Sequence, residues 1–187
     1  VKDVSVPVIS FSFSFRGGAS ADPKGKEGRA EMVSGLLDEG AGNLTSQEFQ
    51  SSLENIAARI GFTASTDRFS GTLRTLSANK DEAFRLLALA IEKPRFDQKP
   101  VERIRGQMIA GLKAVLQDPN AIATRTWYKT VFPRHPYGRP NSGTIDSVKS
   151  VTVLDLKSFI TNYFVRKSLI VGVAGDITAE DLRQRLD

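Results

Sequence analysis

No cysteine occurs in the 187 residues, and there is one histidine. The first absence excludes disulfides and thiolate metal sites, and it suits an oxidising compartment as well as a reducing one. The second leaves His135 to play every part in any three-ligand zinc site or Ser-His pair, which a histidine in a loop between Pro133 and Pro136 cannot do. Serines are common, so a Ser–Lys pair stays open. No apolar run approaches the ~20 residues that span a bilayer, so no membrane span is expected. The net charge is +5, yet the basic residues are dispersed. Arg103, Arg105 and Lys113 fall on one predicted helix, and Arg134 and Arg139 flank a loop. Without a basic run or an interleaved aromatic platform, nucleic acid is not an expected partner. The stretch Gly40-Ala41-Gly42-Asn43 lacks the Lys-Ser/Thr of a phosphate loop and follows a predicted helix instead of opening one, and Gly138 to Gly143 likewise reads as loop.

The length suffices for one sizeable core, and a single α+β domain is expected over residues 1–187. The chain opens at Val1 in mid-pattern and reads as a piece of a longer protein. Ile9, Phe11, Phe13 and Phe15 alternate with Ser10, Ser12 and Ser14, which predicts a half-buried strand ended by Gly17-Gly18. Ser20 to Glu27 reads as a surface loop. Thr45-Ser46-Gln47-Glu48 is a capping box that opens a helix with Phe49, Leu53, Ile56, Ala57 and Ile60 inward, closed by Gly61. Phe62 to Asp67 and Ser70 to Ser77 predict a hairpin around Arg68. A helix from Asn79 turns Phe84, Leu87, Ala88 and Ile91 inward and stops before Pro94. A long helix after Pro100 carries Val101, Ile104, Met108, Leu112 and Val115 on one face. Asp118-Pro119 restarts a helix whose Ile122, Trp127 and Val131 are expected to pack. Thr152-Val153-Leu154-Asp155 caps another, with Leu156, Phe159, Ile160 and Tyr163 inward. Leu169, Ile170, Val171 and Val173 then predict a buried strand ending at Gly175-Asp176, before a last helix that starts over Thr178 to Asp181. Together these imply a twisted sheet covered by helices on one face.

The stretch with most bearing on chemistry is Gly28 to Asn43, GRAEMVSGLLDEGAGN. Ala30, Val33, Leu36 and Leu37 recur at helical spacing, and Gly40 and Gly42 should stop the helix. Positions i, i+3 and i+4 share a face, which is how an inverted zinc motif His-x-x-Glu-His aims two imidazoles and a carboxylate at one metal. Those positions here are Glu31, Ser34 and Gly35. Glycine inside a helix costs about 1 kcal/mol relative to alanine, so Gly35 suggests the close approach of another backbone.

The frame resembles the pitrilysin/insulinase family of zinc metallopeptidases, whose members read Gly-Leu-Ala-His-Phe-Leu-Glu-His where this chain has Gly28-Arg29-Ala30-Glu31-Met32-Val33-Ser34-Gly35. The resemblance extends through His135-Pro136-Tyr137-Gly138 and Thr152 to Asp181, from about Val4 to Leu186. It implies the half-unit of the processing peptidases, with His135 in a structural loop. The family's third ligand, a glutamate, belongs on the long helix, where Ala110, Gly111 and Leu112 offer no carboxylate. No catalytic residue, metal ligand or cofactor is therefore expected in this chain, and no substrate-binding residue is assigned. The resemblance implies a non-catalytic member, a bacterial homologue; the compartment is not readable from these residues, with the periplasm favoured over the cytoplasm. Such a member pairs with a zinc-bearing homologous subunit or domain to enclose peptide substrates. A structural scaffold without a proteolytic partner is the alternative, and a hydrolase with an unfamiliar site a third possibility.

Overall fold

The computed structural model describes residues 5–186. The readings placed on Val1 and Val4 lie outside them.

Strand β1 (Val8–Arg16) is the spine of a sheet of order β2-β3-β1-β4, in which every neighbouring pair is antiparallel. Its partners are β3 (Arg68–Leu76) and β4 (Ile170–Gly175), while β2 (Arg59–Ala64) pairs with β3 as a hairpin turning at residues 65–67. The period-2 rule holds: Ile9, Phe11, Phe13 and Phe15 are buried, and so are Phe69, Leu73 and Thr75 opposite them. Phe13 faces Gly71, and a Cβ at Gly71 would lie 2.2 Å from Cζ of the Phe13 ring, so only glycine leaves room for the end of that ring over β3.

Helices cover this face in two groups. With β1, α2 (Ser46–Asn55) and α3 (Lys80–Glu92) build one apolar cluster around Phe49, Leu53, Phe84, Leu86 and Leu87. The second cluster joins Phe69 to α1 (Arg29–Ser34), α4 (Gln98–Val115), α6 (Ile145–Ser150) and α7 (Val153–Tyr163), through Met32, Val33, Val101, Val148, Leu156 and Phe159. Phe62 and Phe164 touch both. Helices α5 (Pro119–Val131) and α8 (Ala179–Leu186) complete the α+β architecture, with helices on one face of the sheet. The capping boxes at Thr45 and Thr152 form, and Asp118 caps α5 by accepting from Asn120 N–H at 2.9 Å.

Several expectations fail where a tertiary partner overrides the local pattern. Helix α2 ends at Asn55, not Ile60. Ala57 takes a left-handed turn with φ of 51°, and Ile60 and Gly61 then join the β2 ladder. Arg68 belongs to β3 rather than to the turn. Helix α4 begins at Gln98, before Pro100, whose missing N–H has no partner in a first turn anyway. Ala88 is exposed, and Ala83, Leu86 and Ala90 line the buried side of α3 in its place. Strand β4 is an edge of the sheet instead of a buried strand, with Ile170 55% exposed. Val115 is 40% exposed, and Ile122, Trp127 and Val131 are exposed by 46%, 56% and 47%. Ile122 and Trp127 stand about 140° apart on a helix and cannot share a face. No residue of α5 is fully buried, and Ala121, Thr124, Arg125 and Tyr128 border a cavity of about 570 Å³.

Candidate functional site

Helix α1 has six residues, too few to persist without tertiary support. Its support comes from Asp22, read in the sequence as part of a surface loop but buried at 2% exposure. The Asp22 carboxylate accepts from Gly28 N–H at 3.0 Å, from Ala30 N–H at 3.1 Å and from Arg29 Nε–H at 3.2 Å. It thereby replaces the missing cap side chain, Gly28 being the N-cap residue with φ of 92°. Arg29 is itself 4% exposed. Its guanidinium donates to Ala21 O at 3.0 Å and lies 5.1 Å from the Phe159 ring centre and 5.9 Å from that of Tyr163. Burial pushes the Asp22 carboxyl up to about 6, against the opposing pull of the Ala30 N–H and of Arg29. An aspartate ahead of a helix and an arginine on its inner face were the only sequence signals of this pair.

The helix ends at Ser34 with Gly35 as its C-cap, earlier than Gly40, and Leu36 and Leu37 turn into the core. Glu31, Ser34 and Gly35 are half-buried and lie on one side of α1, while Ala30, Met32 and Val33 are fully buried. Ser34 Oγ donates to the Glu31 carbonyl at 2.8 Å. The neighbour facing Gly35 is a side chain rather than a backbone, correcting the sequence expectation: a Cβ there would meet Ile104 Cγ2 of α4 at 3.3 Å. An apolar methyl thus lies where a ligand at position 35 would begin. Just beyond, burial pushes the Asp38 carboxyl up, with the Glu39 charge adding to the shift. Glu39 is partly buried yet held below its ordinary value by Arg103, 2.5 Å away, and by Ser46.

Zinc does not fit this donor set. Glu31 offers one carboxylate, Ser34 a neutral hydroxyl already bonded to backbone, and Gly35 nothing, whereas a zinc peptidase needs three strong ligands and an open position. Among the described residues no group of three His, Cys, Asp or Glu lies close enough to hold a metal ion. The α4 stretch opposite is Ala110, Gly111 and the buried Leu112. His135 is exposed, and its Nδ1 accepts from Tyr137 N–H at 3.2 Å, closing the loop turn. Lys26 pairs with Asp155 at 2.8 Å. The cavity beside α5 does not include Glu31, Ser34 or Gly35. On its wall the Tyr137 hydroxyl donates to Asp67 at 2.6 Å and is thereby pushed above its ordinary pKa, away from nucleophilic use. No helix among the described residues is long and apolar enough to cross a membrane.

Known proteins share both the sequence pattern and the fold. The sequence profile of the insulinase family, Peptidase family M16, matches residues 3–145. A non-peptidase homolog of Helicobacter pylori, YmxG, is 29% identical over 182 residues, covering 97% of this chain and 42% of that protein. The mitochondrial-processing peptidase subunit beta of Saccharomyces cerevisiae is 24% identical over 167 residues, covering 89% of this chain and 36% of that protein. The crystal structure of a peptidase M16 inactive domain from Pseudomonas fluorescens superposes with a TM-score of 0.94 at 26% identity, covering 99% of this chain and 45% of that one. The chain spans about two fifths of the length of these relatives.

Proposed function

The chain belongs to the insulinase family of peptidases, M16, and from that membership we propose that it is the non-catalytic member of a peptidase pair, helping a zinc-bearing homologue to enclose and position peptide. That it is an inactive homologue agrees with its likeness to a non-peptidase homolog and to an inactive M16 domain. The carrying observation is the Glu31, Ser34 and Gly35 face. On this reading these are the three positions of the lost zinc motif, and Ile104 packs where the second imidazole would stand. A partner must then supply both metal and general base. What this chain adds is orientation of peptide and exclusion of water, which lower a barrier by holding reactants together rather than by bond chemistry. The naming of one relative as a subunit supports pairing as an organisation open to this fold.

The test mixes the full-length protein with a homologue carrying an intact His-x-x-Glu-His motif and follows peptide cleavage and bound zinc. Cleavage is expected only from the mixture, with zinc in the homologue. Cleavage by this protein alone, abolished by Ser34→Ala, refutes the proposal. So does a homologue fully active without it.

A further inference from the structure

The side of the sheet away from the helices is open, and its side chains are not a neutral mixture. Ser10, Ser12 and Ser14 of β1 and Ser70 and Thr72 of β3 form rows of hydroxyls, with Arg16, Arg59, Arg68 and Arg74 at their ends. None of the four strands contains an aspartate or a glutamate. Arg16 stands directly opposite Arg68, and Arg59 directly opposite Arg74. All four are exposed. Like charges placed opposite one another across a ladder destabilise the pair. Among the described residues Arg16, Arg59 and Arg74 form no ion pair that would offset that repulsion, and Arg68 reaches the Ser14 hydroxyl at 3.4 Å.

We infer that this open face binds an extended acidic peptide, whose carboxylates sit between the paired arginines. The inference rests on the reading of the chain as part of a peptide-holding enclosure, and it names the class of peptide. Same-face residues on β1 repeat every ~6.8 Å, which is also the repeat of an extended peptide laid along the strand. Arg74 lies opposite Ser10 and Arg68 opposite Arg16, so the two arginine ranks are six residues, about 20 Å, apart. A peptide with acidic residues six positions apart reaches both ranks and meets serine and threonine hydroxyls between them. Nucleic acid suits the face less well, because Phe11, Phe13, Phe15 and Phe69 are buried on the helix side and leave no ring for a base to stack on.

The experiment measures fluorescence anisotropy of a labelled peptide with two glutamates six residues apart, and of its glutamine counterpart, on the full-length protein. The acidic peptide is expected to bind about tenfold tighter, the factor suited to two exposed charge pairs, and to lose the advantage at high salt. R59Q/R74Q should remove most of that advantage while leaving the melting temperature unchanged or higher, since it relieves a like-charge pair. Equal binding of the two peptides, or indifference to R59Q/R74Q, overturns the inference. So does an oligothymidine that binds tighter than the acidic peptide and is released by the same variant. In the cleavage mixture, equal processing of both peptides by wild type and R59Q/R74Q sinks this inference and leaves the pairing intact. Selective binding of the acidic peptide without partner-dependent cleavage supports the inference and sinks the pairing.

Discussion

Removing the Asp22 carboxylate is the most informative single perturbation of the fold around the candidate site. Asp22→Ala takes away the acceptor for Gly28 N–H and Ala30 N–H, a capping loss of about 1 kcal/mol. It also strands Arg29 as a buried cation, for which roughly 3–5 kcal/mol is usual. Arg29 keeps its bond to Ala21 O and its place beside Phe159, so the lower end applies and the total is about 4 kcal/mol. Arg29→Met is the milder change. It keeps the bulk beside Phe159 and leaves Asp22 with its two backbone donors, and a carboxyl already raised to about 6 by burial is readily neutralised by a proton. About 1–2 kcal/mol is expected. The double variant should recover roughly 1–3 kcal/mol relative to the sum of the singles, because the two residues share one network. Urea unfolding followed by circular dichroism at constant pH measures all three. Equal costs for the single variants, or a cost below about 1 kcal/mol for Asp22→Ala, would show that the pair does not hold α1 in place.

Three further outcomes follow from the same packing. Gly71→Ala, whose Cβ would overlap the Phe13 ring, should cost more than about 3 kcal/mol. Gly35→Ala, whose Cβ would meet the Ile104 Cγ2 methyl at 3.3 Å, should stay within about 1 kcal/mol because Gly35 already has right-handed helical φ and ψ and a shift of a few tenths of an ångström relieves the contact; thermal melts of both compare them directly. The folded Asp22 pKa lies above the ordinary value, so the folded state retains a proton that the unfolded chain releases first. Its contribution to stability is therefore full below about pH 4 and is lost as pH rises through about 6, and the difference in unfolding free energy between wild type and Asp22→Asn should change across that window.

Much of the fold was legible because its rules are local. The alternation of β1, the capping boxes at Thr45 and Thr152 and the Asp118-Pro119 start each need only a few neighbouring residues, and each appears where expected. The misses share a different cause. The end of α2 depends on β3 drawing Ile60 into a ladder, the edge position of β4 depends on strand order, and the exposure of Trp127 depends on which side of α5 meets its neighbours. At the candidate site, helical periodicity sufficed to group Glu31, Ser34 and Gly35. What fills the space beside them was not legible, because Ile104 arrives from another helix, and Asp22 looked like a turn residue until Arg29 was seen buried against it.

The order of strands also bears on how the polypeptide is made. Of the four described strands β1 is made first, yet one of its edges waits for β4, near the far end of the described residues. At a synthesis rate of roughly 5–20 residues per second, the interval between Leu76 and Ile170 lasts on the order of 5–20 s. During it one backbone edge of SFSFSF, a segment without charge or proline and of the kind that zips onto copies of itself, stays unpaired. Escape from aggregation at the ribosome is thus a race between completion of the sheet and intermolecular capture, and a holding chaperone that shields that edge should raise the yield of folded protein.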